Sequence, residues 1–382
     1  MQTTVPIVPE TLKWAMEWAA IDKETLAKAL NVKSEKITDW LNGTQKPTYR
    51  QAKELANRCH VAFSQLLLPP PEKIDIPLND FRRGPAKVNR PSPELVEAIY
   101  DALRKRDWWR EYRRNEPVPF WEKRFVKKDA PEAFADAILQ IIPIQDAQKK
   151  ASSWQDLLRL ATQQIEEAGI LVLRQSFVGS NTHRVYNSEE FSGFAIADEV
   201  APVIFVNTRD SIARQTFTLI HELIHVWLGD SVLDANLEGI ESPDIQAERF
   251  CDQVAAAMLM PAEDFRNIWY GNPYEGAQWA ARKFKVSAWA ALKRALELNL
   301  VSYREYHEAL NKIKEDIEPQ TQREGGPTFW TTLESRNSRK FTRAVVEAAR
   351  RGDISAKEMA SLLNLNLATA LEFMESFSHV PS

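Results

Sequence analysis

The run TFTLIHELIHVWLGD, residues 216–230, constrains this chain more than any other stretch. An α-helix turns once per about 3.6 residues, so His221 and His225 fall on one face, one turn apart. Phe217, Leu219, Ile220, Leu223, Ile224, Val226, Trp227 and Leu228 make the helix apolar nearly all round. Such a helix is buried, and polar groups inside it need partners. Two readings supply them. Two imidazoles so placed can bind one metal ion without bending the backbone, with Glu222 beside them to take a proton from an attacking water. Alternatively, this is an ordinary core helix whose histidines hydrogen-bond to nearby backbone. Histidine is scarce, with 6 in 382 residues, and that weighs toward a site.

The rest of the composition is that of a soluble, globular protein of two or three domains. A net charge of −4 exerts no global pull on nucleic acid, so any DNA binding must come from a local patch. Cys59 and Cys251 are the only cysteines, far apart and without ligand spacing, which fits a reducing compartment. The start MQTTVPIVPETLKW lacks the basic-then-apolar order of a signal peptide, and no apolar run approaches a membrane span. The expectation is a cytoplasmic protein with no membrane partner.

Residues 1–71 read as short helices. Leu12, Ala15, Met16 and Ala19 share one face. Asp22 is placed as the N-cap of one helix and Ser34 as that of the next, which stops at Asn42-Gly43. The stretch ETLAKALNVKSEKITDWLNGTQKPTYRQAKELA resembles Xre-type helix-turn-helix DNA-binding domains. That resemblance puts the second helix in the major groove of double-stranded DNA. Candidate contacts are Ser34, Lys36 and Thr38 on that helix, with Lys46 and Arg50 as backbone contacts; Glu35 and Asp39 would repel phosphate. The bland reading is a small helical domain for protein contacts.

Residues 72–150 read as a linker followed by a basic-aromatic helical segment. PPPEKIDIP cannot continue a helix. In ALRKRDWWREYRRNEPVPFWEKRFVKK the aromatics fall at helical spacing, which favours packing over base stacking.

Residues 151–318 read as an α+β domain. SSWQDLLRLATQQIEEAG is an amphipathic helix capped by Ser152 or Ser153; ILVLRQSF, FSGFAIA and PVIFVNT read as strands. The strand just before the HELIH helix could serve as an edge for an extended peptide. A zinc site takes a third protein ligand. Downstream, SPDIQAERFCDQVAAAMLMPAEDF is a helix with Glu248 and Asp252 one turn apart, and either carboxylate could reach the ion.

The order RQTFTLIHELIHVWLGD, AERFCDQVAAAMLMP, KFKVSAWAALKRALELNLVSYREY, preceded by SGFAIADEVAPVIFVNT, resembles the ImmA/IrrE family of metallopeptidases. The resemblance spans roughly residues 155–310. It implies a zincin-like peptidase with His221, His225 and Glu248 as ligands of one Zn2+ per chain, Glu222 as catalytic base, and Asp252 supporting the ligands. It also implies a regulatory-protein substrate such as a helix-turn-helix repressor, in stress or mobile-element control, or a toxin partner in a toxin–antitoxin pair. A second oxyanion donor is usual in such chemistry, and His183, Arg184 and Tyr186 in NTHRVYN are candidates among which the sequence does not choose. Arg214 instead fixes a helix end or pairs with a carboxylate.

Residues 327–382 read as a C-terminal helical region. SRKFTRAVVEAARR is a basic amphipathic helix, and GDISAKEMASLLNLNLATALEFMESF is two helices about a turn at NLN, again helix-turn-helix-like, with a helical cap packing on the peptidase as the favoured reading. EPQTQREGGP before it reads as a joint. The expected whole is multidomain and mainly α: an N-terminal helix-turn-helix bundle, an α+β zincin-like peptidase domain with a small sheet, and these C-terminal helices. The competing reading is a DNA-binding regulator or antitoxin whose peptidase fold binds partners. A third has the metal stabilising the fold alone.

Overall fold

The computed structural model describes residues 3–19, 21–71, 91–123, 130–230, 233–234, 243–316 and 329–376. The chain divides into two compact units, one of residues 1–77 and 81–99 and one of the remainder.

The first unit holds α1 (Pro9–Trp18), α2 (Lys23–Ala29), α3 (Ser34–Leu41), α4 (Tyr49–Arg58), a 3-10 turn at Phe63–Leu67 and the start of α5 (Pro93–Tyr112). Leu12, Ala15, Met16, Leu26, Ile37, Trp40 and Leu55 form its core. Asp22 caps α2 by accepting from the Thr25 amide at 2.6 Å. Thr48 and Gln51 close α4 with a reciprocal capping box. The start of α3 differs from expectation. Lys33 occupies its N-cap with no side-chain bond, and Ser34 is already helical.

The second unit continues α5 and adds α6 (Pro131–Leu139), α7 (Ile144–Lys150), α8 (Trp154–Glu167), β1 (Leu171–Gln175), β2 (Gly193–Ile196), β3 (Val203–Asn207), α9 (Ile212–Leu228), β4 (Leu233–Asp234) and α10 (Pro243–Leu259). There follow α11 (Ala262–Ile268), α12 (Pro273–Phe284), α13 (Ala288–Glu297), α14 (Tyr303–Glu315), α15 (Phe329–Asn337), α16 (Arg339–Arg351), α17 (Ala356–Leu362) and α18 (Leu367–Ser376).

The sheet runs β1-β3-β2-β4. β1 and β3 are parallel, and β2 is antiparallel to both β3 and β4. Side chains alternate between its faces. Val172, Ala195, Ile204 and Val206 enter the core that holds the apolar side of α9. Phe194 and Phe205 stack at 4.7 Å on the other face. Gly193 shares the parity of Ala195 and so faces α9. The strand directly before α9 is β3, paired on both sides. It is therefore not the free edge that the sequence reading offered to a peptide.

The expected boundary at residue 150 falls inside one core. Val118, Phe120, Phe134, Ile138 and Ile144 pack together with α8, α9, α10 and the sheet. The described part of the basic-aromatic segment is used for packing: Phe120 stacks on Trp227 at 5.2 Å, and Trp108 meets Phe341 edge-on at 5.4 Å. Residues 124–128 of that segment lie outside the described residues, as do 72–90 and the EPQTQREGGP joint.

The C-terminal helices attach along β1 and α5. Gln175 donates to the Arg336 carbonyl at 3.2 Å, and the Arg336 guanidinium lies 4.4 Å over Phe177. The Arg339 amide, at the start of α16, donates to Glu166 at 3.1 Å. Lys105, fully buried, pairs with Asp101, which also accepts from Asn364 at 2.9 Å. Asn364 adopts φ 57, the left-handed turn between α17 and α18 that asparagine tolerates. Among the described residues no helix is long and apolar enough to cross a membrane.

Candidate metal centre

Helix α9 is fixed at both ends. Ser211 accepts from the Arg214 amide, and Gly229 ends the helix at φ 82, a conformation costly for any residue with a Cβ. Arg214 joins Ser192 at 2.8 Å and Asp210 at 3.5 Å, tying the approach to β2 to the start of α9. The helix holds His221, Glu222 and His225 in the core, 4%, 0% and 2% exposed.

Helix α10 brings the carboxylates. Its Ala255, Ala256 and Ala257 are buried in the core shared with α9. Glu248 Oε2 lies 3.0 Å from His221 Nε2, and Oε1 lies 3.4 Å from His225 Nε2. The two Nε2 atoms are themselves 3.0 Å apart. One helical turn on, Asp252 Oδ1 meets the other nitrogen of His221, Nδ1, at 3.1 Å. Cys251 Sγ lies 4.0 Å from Nδ1 of His225. Consecutive residues of α10 thus meet the outer nitrogens of the two rings.

An ionised Asp252 can only accept, so a proton sits on His221 Nδ1 and Nε2 is the atom left to ligate a metal. Nε2 faces the Glu248 carboxylate. Burial pushes the Glu248 carboxyl up, but its bonds to His221 and His225 and their charges prevail and hold it well below the usual carboxylate range. Burial likewise raises Asp252, and His221 and Lys293 overcome it, so its pKa is lowered. Two imidazole nitrogens and a carboxylate held in its ionised form converge on one point, an arrangement that suits a cation.

The donor set fits a divalent ion. One ligand atom from each of His221, His225 and Glu248 lies within 4.8 Å of the others. Around a tetrahedral zinc with bonds of about 2.0–2.1 Å, ligand atoms sit roughly 3.4 Å apart. The two Nε2 atoms, 3.0 Å apart, and Glu248 Oε2, 3.0 Å from His221 Nε2, lie within tenths of an ångström of that spacing, while the 3.4 Å contact with His225 Nε2 is made by the other oxygen, Oε1.

Glu222 is seated against β2. A Cβ added to Gly193 would come within 3.1 Å of Glu222 Oε1, 2.6 Å of Thr218 Cγ2 and 2.7 Å of the Phe205 carbonyl oxygen. A glycine inside a strand pattern signals such a close approach, and the sequence reading passed over Gly193. It also missed Cys251 and Lys293. Lys293 Nζ lies 2.7 Å from Asp252 Oδ2, and no local pattern announces a contact across 41 residues.

The remaining expected residues lie elsewhere. His183 is exposed, its amide bonded to Asn181. Tyr186 is buried among Phe191 and Phe205. These placements single out neither as an oxyanion donor. In the first unit, Ser34, Lys36 and Thr38 are half-buried on α3, with the Thr38 hydroxyl bonded to the Ser34 carbonyl at 3.3 Å. Lys46 and Arg50 are exposed.

Comparison with known proteins gives one match and one blank. No curated protein matches the chain. The family model Peptidase_M78, described as the IrrE N-terminal-like domain, matches residues 165–296, from the end of α8 through most of α13. That interval contains the whole His221–His225–Glu248 cluster. Residues 165–296 are therefore similar to the IrrE-type peptidase domain, a likeness that supports the ImmA/IrrE family and suggests a zincin-like metallopeptidase.

Proposed function

We propose that the chain is a zinc-dependent endopeptidase that cuts a regulatory protein, a helix-turn-helix repressor being the substrate class favoured by the family resemblance. The observation that carries the reading is the convergence of both Nε2 atoms and the Glu248 carboxylate on one point. His221, His225 and Glu248 hold the metal, and Asp252 fixes the ring of His221 through Nδ1. Bound zinc supplies Lewis-acid polarisation of the scissile carbonyl and makes the attacking water more acidic. Glu222 takes the water's proton as oxygen adds to the carbonyl carbon. It then delivers that proton to the amide nitrogen as the C–N bond breaks. The test is cleavage of a quenched-fluorescence peptide library by zinc-loaded protein. A Glu222→Gln variant should keep its zinc and lose about 10²–10⁴-fold in rate, the range for a positioned acid–base group. Equal rates for variant and wild type would rule out this role for Glu222.

A second reading, DNA binding by the first unit, rests on α2 and α3. They are joined by a short turn at Asn31, where φ is 52. Lys33, Lys46 and Arg50 are exposed nearby. Asp39, expected to repel phosphate, is occupied internally, accepting from Gln45 at 2.9 Å and Thr44 at 3.2 Å. A regulator or antitoxin could use this unit at an operator while the second unit holds a protein partner such as a toxin. Selection from random duplexes should yield a salt-dependent site, and Lys46→Ala should lower the salt slope by about 1. Failure to enrich any sequence at low salt would exclude this reading.

A further inference from the structure

Lys293 stands outside the ligand set, on α13, yet its ammonium reaches the carboxylate that holds His221. Asp252 divides its oxygens: Oδ1 lies 3.1 Å from His221 Nδ1, and Oδ2 lies 2.7 Å from Lys293 Nζ. The result is a chain of three side chains from three helices, α13 to α10 to α9. Each end of the carboxylate has one partner, so rotating it toward either loses the other.

We propose that Lys293 is a positioning residue of the metal centre, holding Asp252 so that His221 keeps the tautomer and orientation needed to ligate. The inference rests on the zinc reading above. Three observations carry it. Ser287 caps α13 by accepting from the Ala290 amide at 3.0 Å, which fixes where the helix begins. Arg294, the next residue, turns into the protein and donates to the Met260 carbonyl at 3.1 Å. Its guanidinium also meets Glu132 and Glu297, each at 3.5 Å. The two neighbouring cations thus have separate work, and Arg294 locks the rotation of α13 that aims Lys293 at Asp252. Finally, Asp252 is only 31% exposed and Lys293 44% exposed. The pair is screened less than one on an open surface, where such contacts contribute little.

A merely structural ion pair and a positioning residue make different predictions. A structural pair changes the melting temperature and leaves zinc affinity alone. A positioning residue acts through Asp252, so its effect must vanish when Asp252 can no longer be held. The experiment is a double-mutant cycle on the full chain, with zinc affinity read by competition against a chromophoric chelator. Asp252→Asn should weaken zinc about 10–100-fold, as loss of a direct outer partner does. Lys293→Met, one step further out, should weaken it by roughly 3–10-fold. Lys293→Arg should restore most of that loss. In the Asp252→Asn background Lys293→Met should have no further effect. The His221 Nδ1–H proton signal, read by NMR on zinc-loaded protein, should exchange with water faster in Lys293→Met. Lys283→Met, an exposed site on α12, serves as control. Zinc affinity unchanged in Lys293→Met, or lowered equally in both backgrounds, overturns the inference and leaves the zinc site standing. A folded wild type that takes up no zinc overturns the metal reading itself, and this inference with it.

Discussion

Glu166 offers a sharp test of how the C-terminal helices are held. It is 7% exposed at the end of α8 and accepts from the Arg339 amide at 3.1 Å. Burial pushes its carboxyl from 4.5 up to about 7, opposed by bonds from Ser338 and Arg339 and by the charges of Arg339 and Lys340. The Arg174 guanidinium is attracted to Glu166 while burial pushes it down to about 10. The folded state therefore binds the Glu166 proton more tightly than the unfolded state. Below pH 4.5 both states hold the proton and the group is neutral to stability. Between 4.5 and 7 folding takes up a proton, so stability falls as pH rises. Above 7 the full cost applies: a shift from 4.5 to about 7 corresponds to about 3 kcal/mol. Glutamine keeps an acceptor for the Arg339 amide and cannot ionise. The Glu166→Gln variant should come within about 1 kcal/mol of wild type at pH 5 and exceed it by about 3 kcal/mol at pH 8, with the difference growing between. Urea unfolding at pH 5, 6.5 and 8 reads this, and amide exchange in α16 localises it. A difference between the proteins that does not change with pH would refute the reasoning.

Two further perturbations follow from the packing. Gly193→Ala places a methyl against Thr218, Phe205 and Glu222, so it should cost about 1–3 kcal/mol of stability by overpacking and displace Glu222; Thr218→Ser should recover part of that loss, and an unchanged urea midpoint for Gly193→Ala would contradict the geometry. Lys105→Met removes the buried partner of Asp101 and leaves it Arg104 and Asn364, which should cost about 1–3 kcal/mol and speed proteolysis within α17 and α18, where Asn364 joins the cluster; equal proteolysis rates would show that the cluster does not anchor these helices.

The HELIH helix was legible because its apolar periodicity is local; its ends, the Ser211 cap and the Gly229 stop, are also local signals, and the sequence reading did not use them. Local signals likewise made β1, β2 and β3 legible, and Asp22 as a cap. Glu248 and Asp252 could not be separated by spacing, since both lie on one face of α10, one turn apart. The structure separates them by which nitrogen each meets, Nε2 for Glu248 and Nδ1 for Asp252. What the sequence concealed is non-local. Lys293 reaches Asp252 from a different helix. Phe134 and Ile138 lie before the expected boundary at residue 150 yet pack into the core of α9 and α10, because a helix's apolar face does not say which domain it will cover. The interior position of β3 depends on where β2 returns, and the order of strands along the chain does not reveal it. The one-residue error at Ser34 is of the ordinary kind, since Ser can stand either at a cap or just inside it.

Zinc stoichiometry bears most directly on the central claim. Wild type and Glu248→Ala would be purified in parallel, dialysed against micromolar zinc and then buffer, and measured by mass spectrometry for metal per chain. Wild type should retain about one zinc, as expected for a site of three protein ligands. Glu248→Ala should lose far more affinity than the roughly 10–100-fold typical of outer partners. A folded wild type without zinc, or a variant that binds it equally well, would contradict a metal centre built by His221, His225 and Glu248.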